Sequence, residues 1–396
     1  MHNISKMKIM FASHTGIGGT FVVGSHHLAR ELATLGNEVV HISTPITPFH
    51  LLKINKTENR KNLIRGLINP KVQVKKNLTD VKPFSILPWK LACKFHKKHQ
   101  KNLMLFFLNP FLIKQFNDID ILIIDQPSYC GLEDMVKPKM LIYRATDIYK
   151  DMTSNDISEA ENQLISKADA LIGTSKPVLE HLVSISKDKP ALLLENGVEF
   201  EHFSKSVDLP EEYGRVFGPI AVYGGALDER FDFEAITSLA KAIPQLNIFL
   251  IGPVNNTIKK MYAPLKNVYC IGAVKYEELP KYFSHATVGL LPLSNHPANT
   301  GRSPMKLYEY GAAGLFVVSK ESRELKSRDN SFTKFYRTNE ELINIIKELI
   351  DFKYKKENIK HEAEANSWRF KAGALLDFVS KIDNKKRFER DLSMEE

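Results

Sequence analysis

Two residues one helical turn apart, Lys306 and Glu309, form the most chemically suggestive pair in this 396-residue chain. They sit in Asn299-Thr-Gly-Arg-Ser-Pro-Met-Lys-Leu-Tyr-Glu-Tyr-Gly-Ala-Ala-Gly-Leu-Phe-Val-Val-Ser319, which reads as a loop, a helix and a buried strand. Ser303 is the expected N-cap, with Pro304 at the first helical position. Gly311 and Gly314 are expected to mark the helix end, before a short apolar strand from Leu315 to Val318. A lysine in the first turn opposes the helix dipole, so Lys306 makes sense where an anion binds. The spacing of three places Glu309 on the same face. A cation for phosphate and a carboxylate for sugar hydroxyls suit a nucleotide-sugar. Candidates for proton chemistry lie elsewhere: Asp147, in Tyr143-Arg-Ala-Thr-Asp147 just after an apolar strand, and His14, at the end of the first strand.

The elements that must position these groups alternate as strand and helix. Lys8 to Ser13 reads as a strand, followed by the Gly-rich loop His14-Thr-Gly-Ile-Gly-Gly-Thr20, a helix from Gly24 to Leu35 and a strand from Glu38 to Ser43. The loop is not a dinucleotide fingerprint. Its glycines are spaced G-x-G-G, and the second strand ends in HISTP without an acid for a ribose. Small residues there suit an acceptor approaching the backbone, which makes Gly18, Gly19, Ser25 and His26 acceptor-side candidates. Further strands are expected over 120–125, 140–143, 170–173 and 192–194, with a helix over 156–167. After a polar linker near 204–217, five more short apolar strands follow over 220–223, 248–251, 268–271, 288–291 and 316–318, and then a helical tail. The expected fold class is α/β, with two Rossmann-like doubly wound domains, 1–205 and 206–396, facing a cleft. The C-terminal helix is expected to cross back to the N-terminal domain.

Composition narrows the classes. With 43% hydrophobic and 26% charged residues the chain reads as soluble and globular, and no apolar run is long enough to span a bilayer. The opening residues lack a signal-peptide h-region, and three scattered cysteines suit a reducing cytoplasm. The net charge of +9 is local in origin: residues 53–101 hold 14 Lys/Arg against two acids. Within the irregular stretch from about 50 to 117, Trp89, Phe95, Phe106, Phe107 and Phe111 interleave with Lys90, Lys94, Lys97, Lys98 and Lys101. One reading is an excursion whose apolar face packs on the core. The other is an interfacial helix pair resting on an anionic membrane face. No nucleic-acid module is present.

Taken in order, ENGVEFEHF, AVYGGALDERFDFEAI, IGPV, NVYCIGAVKYEELPKYFSHATVGLLPL and SPMKLYEYGAAG resemble the GT-B glycosyltransferases over most of residues 190–320. FVVGSHHLARELA and YRATD are similar to a narrower group, the GumK-like glucuronosyltransferases of bacterial exopolysaccharide assembly. The resemblance implies a UDP-sugar held by the C-terminal domain as substrate, with no cofactor and no metal. Lys306 would neutralise the diphosphate, Glu309 would take ribose hydroxyls, and Met305 and Ser303 would pack on or near the nucleotide. Gly224 and Gly225 would lie by the diphosphate, Leu227 near the donor and Val274 by the base, with Arg302 a candidate partner for an acidic sugar. The only D-x-D string, Asp118-Ile-Asp120, leads into a strand and reads as structural. Retaining members usually carry a second glutamate where this chain has Gly301, which favours inversion. Asp147 matches the aspartate base of the narrower group, and His14 is its rival.

The implied function is inverting transfer of a sugar, with glucuronate the candidate, to a polyprenyl-diphosphate-linked glycan of an envelope polysaccharide. The protein would lie on the cytoplasmic face of the cell membrane. Retaining transfer, a nucleotide-sugar epimerase of the same fold, and a membrane-surface module without donor binding are the alternatives.

Overall fold

The computed structural model describes residues 6–18, 22–47, 66, 68–85, 116–149 and 155–395. Contacts divide the chain into two compact units: Met1–Glu195 with Lys371–Glu396, and Asn196–Phe370. The junction falls ten residues before the 205/206 expected from sequence. The physical reason is that residues 196–204 are built into the second unit. Val198 bridges to Ser367, and Phe203 is fully buried in that unit's core. From Lys371 onward the last helix counts with the first unit, where Lys371 Nζ meets Glu195 Oε2 at 3.4 Å.

The first unit is a sheet in the order β3-β4-β2-β1-β5-β6-β7-β8. The strands are β1 (Lys8–Ala12), β2 (Glu38–Ile42), β3 (Lys71–Lys75), β4 (Leu78–Val81), β5 (Ile121–Ile124), β6 (Met140–Ala145), β7 (Ala170–Gly173) and β8 (Ala191–Leu193). All neighbours pair in parallel except β3 with β4. β5, Ile-Leu-Ile-Ile, is buried at every position, as a central parallel strand covered on both faces must be. The helices are α1 (Gly24–Thr34), α2 (Leu132–Val136), α3 (Asn155–Lys167) and α4 (Lys176–Ile185).

The β3–β4 hairpin lies inside the stretch read from sequence only as basic and aromatic. It turns at Asn77, whose φ is 65°, and its outer strand is largely exposed and lysine-bearing, which suits a sheet edge. The proposed interfacial helix pair falls on residues outside those described, as does Gly19.

The second unit is a parallel sheet in the order β11-β10-β9-β12-β13-β14. Its elements run α5 (Phe200–Ser204), α6 (Glu211–Gly214), β9 (Ile220–Gly224), α7 (Phe233–Ala242), β10 (Asn247–Ile251), α8 (Asn256–Tyr262), β11 (Val268–Gly272), α9 (Leu279–Ser284), β12 (Val288–Leu291), α10 (Lys306–Ala312), β13 (Phe316–Lys320), α11 (Arg323–Lys326), β14 (Thr333–Tyr336), α12 (Asn339–Asp351) and α13 (Lys356–Glu364), while α14 (Trp368–Glu395) starts here and belongs to the first unit from Lys371 on. Alternate strand residues feed two cores. Val222, Phe249 and Leu291 pack with α9, α10 and α13, whereas Ala221, Ile248 and Leu290 pack with α7, α8 and α12. This is the doubly wound arrangement in each unit.

Gly311 does not end α10 but lies within it. A Cβ there would meet Phe332 Cζ at 2.9 Å and Ala363 Cβ at 3.0 Å, so the glycine admits α13 and the Phe332 ring at close range. Gly311→Ala is expected to destabilise the protein by about 1–3 kcal/mol through overpacking. Urea unfolding checks this, and an unchanged midpoint would show that the contact relaxes freely.

Candidate active site

In the second unit β9 and β11 end in glycine, and Gly252 directly follows β10. The Gly225 N–H donates to Ile251 O at 2.7 Å and the Gly252 N–H to Gly272 O at 2.8 Å. The Gly224 N–H donates to the Tyr310 hydroxyl at 3.0 Å. These amides are thus spent inside the fold, and the glycines serve close approach. A Cβ on Gly252 would lie 1.8 Å from Gly225 O, and one on Gly225 would lie 2.5 Å from Lys306 Cε and 2.8 Å from its Nζ. The Lys306 ammonium therefore lies directly over Gly225, 5.9 Å from the centre of the Tyr223 ring.

Charge concentrates around it. Loss of hydration on burial lowers the Lys306 pKa, the neighbouring Arg302 and Arg230 guanidiniums add to this, and Glu309 and Asp228 oppose it. Burial likewise raises the Glu309 pKa; Lys306 pulls it down and Glu199 pushes it up. Arg230 is fixed by Asp228, its Nε donating to Asp228 Oδ1 at 3.0 Å. Three cations, Lys306, Arg302 and Arg230, thus share one field with Glu309, 6% exposed, one turn along α10. Such a set can neutralise a diphosphate and accept hydroxyl protons.

Ser303 does not cap α10. Its hydroxyl accepts from the Asn196 N–H at 3.0 Å and from Arg328 Nη2 at 2.8 Å, while Asn196 Nδ2 donates to Ser303 O at 2.9 Å. With that oxygen engaged, the helix starts later, and Met305, half-buried, takes the cap position. Arg328 is itself buried and paired with Glu324 at 2.7 Å. Leu227, expected near the donor, is instead a core residue beside Tyr223 and Phe231, because the turn after Gly225 folds it inward. Val274 is half-buried against the other core, with Tyr276 and Leu279. Arg230, Glu199, Asn196 and Arg328 stand at no position that spacing or composition marks out. Their one signal was position, inside ALDERFDF and ENGVEF or shortly after the strand of Phe316.

In the first unit, the C-terminal sheet edge gathers His14, Asp125 and Asp147. Asp147 is half-buried, and its Oδ2 accepts from the Thr146 hydroxyl at 3.0 Å. Thr146 Oγ1 is 2.8 Å from the Tyr149 hydroxyl, which donates to Asp125 O at 2.8 Å. The Thr146 and Tyr149 hydroxyls thus lie between the Asp147 carboxylate and the end of β5. Arg144, fully buried, places Nη1 3.2 Å from Asp125 Oδ2. His14 stands on the exposed rim. Partial dehydration lowers its pKa, Asp125 and Asp147 oppose this, and His41 adds to it. The structure so brings the two candidate bases into one electrostatic neighbourhood.

Ser25 and His26, expected to touch an acceptor, are each 1% exposed. The Ser25 hydroxyl donates to Ser13 Oγ at 2.8 Å. Burial, reinforced by His41, drops the His26 pKa to about 3, so its ring is neutral. Nε2–H reaches Thr15 O at 2.9 Å and Nδ1 accepts from the Val23 N–H at 3.5 Å. Both residues brace the glycine loop from beneath, because α1 packs its first turn inward. Gly18 is exposed at φ 82° with open space around it. Asp120 is structural, accepting from the Lys8 N–H at 2.7 Å and Lys139 Nζ at 2.8 Å.

Residues 233–372 match the family model described as glycosyl transferase-like. TuaH of Bacillus subtilis (strain 168), named as a teichuronic acid biosynthesis glycosyltransferase, is 27% identical over 212 residues. That match takes in 48% of this chain and 53% of TuaH, so the chain spans about half the length of the curated relative it matches. Among solved structures, HepE of Anabaena in complex with UDP and glucose superposes with a TM-score of 0.67 at 14% identity, over 95% of this chain and 100% of that one. Sucrose-phosphate synthase of Thermosynechococcus elongatus gives 0.63 at 16%, over 99% and 100%. The two doubly wound parallel sheets and these neighbours identify the fold as GT-B. No helix among the described residues is long and apolar enough to cross a membrane.

Proposed function

We propose that this chain is a metal-independent glycosyltransferase that moves a sugar, with inversion, from a UDP-sugar to a lipid-linked glycan of an envelope polysaccharide. The observation that carries the reading is Lys306 seated on Gly225, with Arg302 and Arg230 beside it and Glu309 one turn on. Those three cations meet the charge that develops on a departing diphosphate, which is the electrostatic part of the catalysis. Glu309 accepts ribose hydroxyls. Asp147 takes the proton of the acceptor hydroxyl as its oxygen attacks the anomeric carbon, and the diphosphate leaves from the opposite face. Gly301, where a retaining enzyme would place a carboxylate, favours inversion.

The neighbours support the donor and pathway classes: HepE is described with UDP and glucose, and TuaH is named for teichuronic acid biosynthesis. Arg302 is the candidate partner for a uronate carboxylate on the donor, which makes glucuronate the proposed sugar. The excess of basic residues between 53 and 101 suits a cytoplasmic, peripheral position on an anionic bilayer holding a polyprenyl-diphosphate acceptor.

A thermal-shift panel of nucleotides tests the donor class, and NMR of the product anomer tests the stereochemistry. Uridine nucleotides alone should raise Tm, and the product linkage should have the opposite anomeric sense to the donor. A retained anomer removes the inverting mechanism, and turnover of a UDP-sugar without any acceptor would point to epimerisation.

A pH dependence follows from Lys306. Its lowered pKa means the ammonium that binds diphosphate is present at neutral pH and lost as pH rises, before the ordinary lysine value of 10.5 is reached. UDP affinity should therefore fall with rising pH on the alkaline side, by at most about tenfold per pH unit. Calorimetric titration at several pH values checks this, and the same limb should flatten in Lys306→Ala.

A further inference from the structure

At the other end of α10 from Lys306, the second unit holds a cavity of about 150 Å³, far more than one water needs. Among the described residues its polar lining is lysine and hydroxyl: Lys205, Lys356, Lys360, Ser204, Ser206 and Ser284 contribute, His285 stands beside them, and no carboxylate does. Lys356 and Lys360 stand one turn apart on α13. Lys356 Nζ donates to Ser284 O at 3.1 Å and Lys360 Nζ to Ser204 O at 3.3 Å. Those oxygens belong to the last residues of α9 and α5, so each lysine satisfies a helix C-terminus.

That structural duty uses one N–H of each ammonium, and an ammonium has three. Anchoring also removes the freedom that makes ordinary surface lysines poor anion sites. The Lys356 stem is fixed further by Gly314, where a Cβ would come within 2.7 Å of it. Ser284 Oγ is buried without a hydrogen-bond partner at the same wall. The two ammoniums repel one another. Burial first, and then the charge of Lys360, lowers the Lys356 pKa, with Glu357 alone opposing.

We propose that this cavity is a second anion site that takes a phosphate or diphosphate group between the Lys356 and Lys360 ammoniums, with Ser284 as a hydroxyl partner. The Lys205 side chain is exposed at its rim, where it would meet the remaining charge, and the neighbouring His285 ring is held by Val207 O, 2.7 Å from Nε2. The proposal is independent of whether Lys306 binds UDP.

Calorimetric titration of the full chain with inorganic phosphate, pyrophosphate and glucose 1-phosphate tests it, in the wild type, in Lys306→Ala, and in a double variant, Lys356→Met/Lys360→Met, built on the Lys306→Ala background so that the Lys306 site contributes to neither side of the comparison. Binding should survive Lys306→Ala and weaken about 10- to 100-fold in the double variant, the scale of one or two lost charge-assisted contacts. The tightest of the three probes identifies the source of the group. Absence of saturation up to about 10 mM in the wild type, or equal affinity in the double variant, overturns the proposal. Lys360→Met alone, whose stem does not rest on Gly314, repeats the test should the double variant unfold.

Discussion

Asp147→Asn is expected to lower turnover by roughly 10²- to 10⁴-fold while leaving UDP affinity unchanged. Asparagine keeps the shape of the side chain and can still accept the Thr146 hydroxyl hydrogen that meets Asp147 Oδ2 at 3.0 Å. What it cannot do is take a proton. The loss should appear in kcat, and calorimetric titration with UDP should match the wild type, since every residue placed around Lys306 belongs to the other unit. Thr146→Val, which removes the positioning hydroxyl and leaves the carboxylate, should give a smaller loss together with a shifted pH profile. Near-normal turnover in Asp147→Asn removes the residue from the role. A loss confined to His14→Ala would hand the role to the rim histidine.

Lys306→Ala should act on the other half of the chemistry, weakening UDP by about 10- to 100-fold, the range expected for one hydrogen bond to a charged group. The expected effect is large because the ammonium rests on Gly225 and its position is fixed. Its removal also strips Glu309 of the charge that holds its pKa down, so the carboxylate should protonate at higher pH than in the wild type. Lys306→Arg should not rescue the affinity. The Lys306 stem already lies within 2.5 Å of where a Cβ on Gly225 would be, and a planar guanidinium needs more width than a compact ammonium. Unchanged UDP affinity in Lys306→Ala would dismantle the donor site as described.

Much of this was legible in the residues, for physical reasons. Continuous apolar runs such as Ile121-Leu-Ile-Ile124 announce buried parallel strands, and the ordered motifs from Glu195 to Gly314 announce the second unit. The β3–β4 hairpin was hidden because its lysines dominate the pattern, and β14, Thr-Lys-Phe-Tyr, because half its residues are polar. Local rules failed where a distant partner claimed the group. Ser303 looks like an N-cap until the Asn196 amide, 107 positions away, takes its oxygen. Ser25 and His26 look like loop-side ligands until the first turn of α1 proves to face inward. Gly311 looks like a helix stop because sequence does not show that Phe332 and Ala363 need the space.

The contact between Asn196 and Ser303 also bears on the order in which the molecule assembles. Two hydrogen bonds join positions separated by 107 residues, and the buried Arg328 completes the junction from further along the chain. Closing so long a loop is entropically costly and is repaid only once the intervening strands have docked. The entrance to α10, and with it the placement of Lys306, is therefore expected to form late in folding. In a refolding time course, competence to bind UDP should emerge with the final cooperative phase, well after helical signal has returned.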